Sequence, residues 1–164
     1  MIEILVVSCI AGLIGSVFMD MTESFMSKKG ISSGVTVQHI GKWFLLMLKG
    51  TFTHDNIDNT RTMPNEVNAG KFFHYIIAGC GITILYPMIL YVFNIGFEIN
   101  HILYGMIFGF LTNIFPWFWM MPSFGWGILG LKKSVKSNTI LAPTISHIIY
   151  GLGVGIVFNL YYKF

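Results

Sequence analysis

Five ionisable residues carry the chemistry this chain could gather in one place: Asp20, His54, Asp55, His74 and His147. Neutral imidazole ligates zinc, copper, iron or haem iron, and a carboxylate completes or orients such a set. Inside a membrane the same residue types relay protons or contact a solute. A metal would take His54, His74, His147 and Asp20 from dispersed positions. Haem or a transition metal is compatible with that set, and neither is required by it. The structural alternative is that each histidine hydrogen-bonds a neighbour and orders the chain around it.

No local motif decides among these readings. There is no H-E-x-x-H, no C-x-x-C, no G-x-S-x-G elbow and no phosphate-cradling glycine loop, so no enzyme class is indicated. His54-Asp55 is a two-residue fragment of a phosphohydrolase motif, too short to carry that chemistry. Glu23 follows Asp20 by three residues and shares its helical face, near a helix C-terminus where negative charge wants a cationic partner. For Asp20 the partners in reach are His74, His147 or a loop lysine. For Glu23 they are Lys28 and Lys29. Met19, Met21, Met26, Met120 and Met121 gather toward the same side, which leaves copper as a minor alternative to core packing.

The elements that must position these residues are set by solvent. Hydrophobic residues make up 54% of the chain and charged residues 10%, with a mean hydropathy of +0.69. Soluble domains carry roughly 25% charged residues, so the expected solvent is lipid. Four runs reach the ~20 residues a spanning helix needs: residues 2–21, 72–93, 102–121 and 140–161. Pro143 falls in the first turn of the last run, where its missing N–H costs little. Pro87 should kink the second run without ending it. The first run lacks a basic n-region and a cleavage site, and reads as a retained span. The fold expected is an all-α four-helix transmembrane bundle forming one integral membrane domain, residues 1–164.

Lysine and arginine placement orients it. Lys28, Lys29, Lys42, Lys49, Arg61 and Lys71 fall between the first two runs, and Lys132, Lys133 and Lys136 between the last two, which is nine of ten basic residues on one side. Basic loops stay cytoplasmic, so both termini are expected on the non-cytoplasmic side. Asp20, His74 and His147 then fall in the cytoplasmic half, with His147 about 10 Å inside the end of its helix. His39 and His101 read as ordinary interface residues. Nucleic-acid binding is excluded by the placement of the basic residues, and the bilayer is the expected partner.

In the first loop, Val37, Ile40, Phe44, Met47 and Leu48 recur at helical spacing opposite Gln38, Lys42 and Lys49. That pattern predicts a short interfacial amphipathic helix, with a re-entrant hairpin as the alternative. Gly105/Gly109 and Gly151/Gly155 form two G-x-x-x-G faces, which either pack within the bundle or join copies into a homo-oligomer. Cys9 and Cys80 lie inside apolar runs and read as small buried hydrophobes.

Several segments taken in order carry a resemblance. They are Gly12–Asp20, Gly41-Lys42-Trp43, Gly50-Thr51-Phe52-Thr53-His54-Asp55, Phe73-His74-Tyr75 with Gly79, Pro116 to Gly127, and Ser146-His147 with Gly151. Together they resemble the bacterial membrane proteins grouped as the domain-of-unknown-function family 2938, over nearly the whole chain. The run Asp58 to Met63 departs from the pattern. The resemblance implies a protein of the bacterial cytoplasmic membrane with no established activity. It makes Asp20, His54, His74 and His147 family features and gives them no role.

Overall fold

The computed structural model describes residues 2–133 and 138–163; Lys136, counted above among the basic loop residues, lies outside them. Among the described residues the fold is all-α, and four helices are long and apolar enough to cross a membrane. They are α1 (Ile2–Lys28), α3 (Glu66–Val92), α4 (His101–Ser123) and α5 (Leu141–Tyr161), with the shorter α2 (Val37–Met47) between the first two. Outward-facing residues such as Val6, Ile10, Val17, Val92 and Leu111 are exposed and apolar. A lipid-solvated surface requires this.

Helix ends follow from local chemistry. After α1, Gly30 takes φ +78°, its N–H bonds the Ser27 carbonyl, and Ile31 N–H bonds the Met26 carbonyl. After α3, Asn94 at φ 52° does the same with Tyr91, while Ile95 bonds Leu90. Both are the paired closure that a left-handed residue permits. Helix α2 starts with a capping box, in which Thr36 Oγ1 accepts the His39 N–H and His39 Nδ1 accepts the Thr36 N–H, each at 3.2 Å.

The long helices pack antiparallel in the order α3, α1, α5, α4. Small residues set the spacing. A Cβ on Gly105 would lie 2.4 Å from the Gly151 carbonyl oxygen, and one on Gly109 would lie 2.1 Å from that of His147. The two G-x-x-x-G faces therefore pack on each other within the chain. Gly12 meets Gly79 and Thr83, and Gly15 meets Tyr150 and Gly153. Cys9 and Cys80 are not separate apolar fillers: they form a disulfide between α1 and α3.

Two cores result. One holds Ala11, Tyr86, Leu90, Phe108, Tyr150, Val154 and Phe158 within the bundle. At its terminal end lies His101, which is 1% exposed and no ordinary interface residue. It bonds the Tyr86 hydroxyl at 2.9 Å and the Phe97 carbonyl at 3.0 Å, and stacks on Tyr162. The second core lies at the lysine-rich end and joins Trp43, Ile57, Met121, Phe124 and Trp126. Helix α2 is a single helix rather than a hairpin. It docks on α3 through Gly41, whose Cβ would lie 1.7 Å from the Glu66 carbonyl oxygen. Lys42, expected on its polar face, is buried and donates to the Thr60 carbonyl at 2.9 Å.

Proline reshapes two spans. Helical bonding breaks at Ile84, three residues before Pro87, and at Asn113, three before Pro116. A proline removes one N–H and clashes with the carbonyl four residues back, here Thr83 and Thr112. Each threonine hydroxyl bonds the carbonyl of its own preceding turn, Gly79 or Gly109, and also reaches a side chain of α5, Tyr150 or His147. Beside these breaks, Phe73–Ile82 and Pro116–Met120 adopt the wider π-type turn. The first is much longer than the single turns such bonding usually makes. Nothing in the sequence signals it.

Candidate functional site

The two wide-turn segments line a cavity of about 580 Å³ at the lysine-rich end of the bundle. Helix α1 contributes Ser16, Met19, Asp20 and Glu23; α3 contributes Phe73, His74, Tyr75 and Ala78; α5 contributes His147 and Tyr150. Trp43, Phe44 and Met47 from α2, with Trp119 and Met120 from α4, form an apolar wall. The volume is that of a site for one small molecule.

The polar floor is built across helices. Asp20 Oδ1 lies 3.0 Å from His74 Nε2, an ion-pair distance at which the ring nitrogen is not aimed along a hydrogen bond. Asp20 Oδ2 accepts the Tyr75 hydroxyl. Glu23 Oε1 accepts the Ser146 hydroxyl at 3.1 Å. His147 Nδ1 is 2.8 Å from Thr112 Oγ1. The aromatic wall is tightly made, for Trp43 is 1% exposed and meets Phe73, Trp119 and Phe124 edge to face. Its Nε1 is buried and has no hydrogen-bond partner among the described residues.

The structure thus brings Asp20, His74 and His147 into one cavity and leaves His54 and Asp55 outside it. Their loop is tied to the end of α4: His54 N–H bonds the Ser123 carbonyl, and Gly125, at φ +81°, lets that strand approach the Asp55 carbonyl. Burial, followed by the charge of Lys42, pushes the His54 imidazole below its usual range. Asp55 instead borders a separate cleft with Asn56, Asp58, Gly125, Trp126, Lys132 and Lys133. The metal set of His54, His74, His147 and Asp20 is therefore not assembled. Among the described residues no three His, Cys, Asp or Glu side chains converge as metal ligands.

Tyr75 joins the floor without a sequence motif to mark it, and Glu23 bonds Ser146 rather than the expected Lys28 or Lys29. Tyr75 bonds Asp20, and its only signal was its place next to His74. Glu23 enters the floor because it shares a helical face with Asp20. His39, read as an ordinary interface residue, has a defined part elsewhere. Its Nε2 lies 3.0 Å from Asp58 Oδ1, Asp58 Oδ2 takes the Lys133 ammonium at 2.6 Å, and that ammonium sits 3.6 Å over the Trp126 ring. Burial raises Asp58, but Lys133 and His39 outweigh it and hold the carboxyl below its usual range. This clasp fastens α2 to the loop that follows α4.

Residues 9–160 match the family model described as Protein of unknown function (DUF2938). No curated protein and no solved structure matches the chain.

Proposed function

The chain belongs to the DUF2938 family of unknown function, and for it we propose a binding role seated in the cavity at the lysine-rich end. It is a multi-pass protein of the bacterial inner membrane with both termini on the non-cytoplasmic side. It holds a small organic solute against the histidine and aspartate cluster at the cytoplasmic face. The orientation is supported by the nine basic residues that fall between spans one and two and between spans three and four.

One observation carries the solute reading: a cavity of about 580 Å³ has apolar walls and a floor that includes Asp20, Glu23, His74 and His147. Ionisable groups at membrane depth are expensive and mark pathways or sites by default. A structural hydrogen bond would explain any one of them, but not the space left beside all four. With His54 held apart, the metal reading loses a ligand, and the solute reading keeps the rest.

The test is chemical. Protein purified in mild detergent is extracted, and its small molecules are identified by mass spectrometry. Wild type should retain one organic molecule near stoichiometry, and Ala78→Phe, which fills the cavity, should lose it. Identical extracts from both proteins would refute the reading. A stoichiometric metal lost in His74→Ala and in His147→Ala would restore the metal alternative.

A further inference from the structure

The floor of the cavity is richer in hydrogen-bond acceptors than in free donors, and the tautomer of His147 is part of the reason. The Thr112 hydroxyl lies 2.7 Å from the Gly109 carbonyl and 2.8 Å from His147 Nδ1. It has a single proton to give. The Asn113 N–H, which would ordinarily bond the Gly109 carbonyl, bonds that of Phe110 instead. The Gly109 carbonyl thus depends on the Thr112 hydroxyl, and a bare carbonyl at membrane depth is costly. Thr112 therefore donates to Gly109, and His147 donates its Nδ1–H to Thr112. That leaves Nε2 as the acceptor nitrogen of the His147 ring, on a side chain that lines the cavity.

Charge is unbalanced in the same sense. Asp20 faces His74 and Tyr75. Glu23 has only the Ser146 hydroxyl, and no lysine, arginine or histidine lies within ion-pair distance of it among the described residues. Lys71 borders the cavity but is exposed. The walls above this floor are the rings of Trp43, Phe44, Phe73 and Trp119, whose faces favour a cation.

We infer that the solute is a small protonated amine with an apolar or aromatic body. Its ammonium sits against Glu23, Asp20 and His147 Nε2, and its body lies against the wall that Trp43, Phe44, Phe73 and Trp119 form. This rests on the solute-binding reading above. The ammonium supplies the counter-ion that Glu23 lacks and can donate to His147 Nε2 as well.

The experiment uses the full chain in nanodiscs of phosphatidylglycerol, which carries no amine, and titrates phenethylamine, phenethyl alcohol and phenylacetate. Phenethylamine should bind at least about tenfold more tightly than the alcohol, and phenylacetate the least, since a charge-assisted bond outweighs a neutral one by that much. Glu23→Gln should cost the amine about tenfold and leave the alcohol unchanged. If that variant does not fold, the ranking of the three probes on wild type decides alone. Equal binding of amine and alcohol, or a preference for phenylacetate, would overturn the amine assignment and leave the solute-binding reading standing. No binding of any probe, with wild type and Ala78→Phe indistinguishable, would overturn both. Displacement of phenethylamine by added phosphatidylethanolamine would overturn the free-amine source.

Discussion

Replacing Gly151 by alanine should loosen the contact that holds α4 against α5. A Cβ there would lie 2.0 Å from the Gly105 carbonyl oxygen, 2.8 Å from its carbonyl carbon and 2.9 Å from Gly109 Cα. All three are backbone atoms, so no side chain can swing aside. The shortfall against ordinary contact is about 1.4 Å, and the helices must separate by a comparable distance. Overpacking on this scale costs about 2 kcal/mol. At roughly 2–4 °C per kcal/mol for a chain of this size, thermal unfolding should move down by about 4–8 °C. Helix propensity alone predicts the opposite, a gain of about 1 kcal/mol for glycine to alanine in a helix interior. Gly81→Ala is the control: its nearest neighbour, the Ile76 carbonyl oxygen, is 3.8 Å away, and its melting temperature should hold or rise. The assay is thermal unfolding followed by circular dichroism in detergent. If Gly151→Ala melts no lower than Gly81→Ala, the close approach of the two glycine faces is refuted.

Asp20→Asn keeps the shape of the cavity floor but removes the charge that faces His74, and should destabilise by about 1 kcal/mol in the same unfolding assay. An unchanged melting temperature would mean that the contact contributes nothing to the fold. The His39 clasp predicts a pH dependence. Burial first, then the charges of Lys133 and Lys42, hold its imidazole below the ordinary 6.5 against the pull of Asp58. The unfolded chain therefore takes up this proton first as pH falls, so the stabilisation is full above about 6.5 and drains below it. Asp58, held below its ordinary 3.8, stays charged through that window. Amide exchange across α2, taken relative to the intrinsic rate at each pH, should quicken as the pH falls from 7.5 to 5.5. In His39→Gln, which retains the capping box without the titration, that acceleration should disappear. Equal pH dependence in both proteins would remove His39 from the explanation.

Much of the architecture was legible because lipid imposes so strong a pattern. Four apolar runs, the kink at Pro87 and the helical period of residues 37–48 follow from hydropathy and spacing. The boundaries were less legible because tertiary contacts extended the helices. Helix α1 runs on to Lys28 because Asp20 and Glu23, costly at the end of a lone helix, find partners on α3 and α5. Helix α3 starts at Glu66 because that side chain accepts the Met63 N–H and Gly70 packs under Val37. For the site, Asp20, His74 and His147 could be grouped by depth alone, since each lies near the same end of its helix. Depth could not separate His54, whose position depends on backbone pairing with Ser123. Nor could it reveal the Cys9–Cys80 bond or the wide turn at Phe73–Ile82, which follow from how α1 meets α3.

Reagent access to the cavity tests the account most directly. In a Cys9→Ala/Cys80→Ala chain carrying Ala78→Cys, the single thiol lines the cavity and is probed with a membrane-impermeant methanethiosulfonate in vesicles of each orientation. It should react from the face that carries Lys28 and Lys71 and stay unmodified from the face that carries the termini, with phenethylamine slowing the reaction. Modification from the terminal face, or from neither face, would contradict a solute site opening on the lysine-rich side.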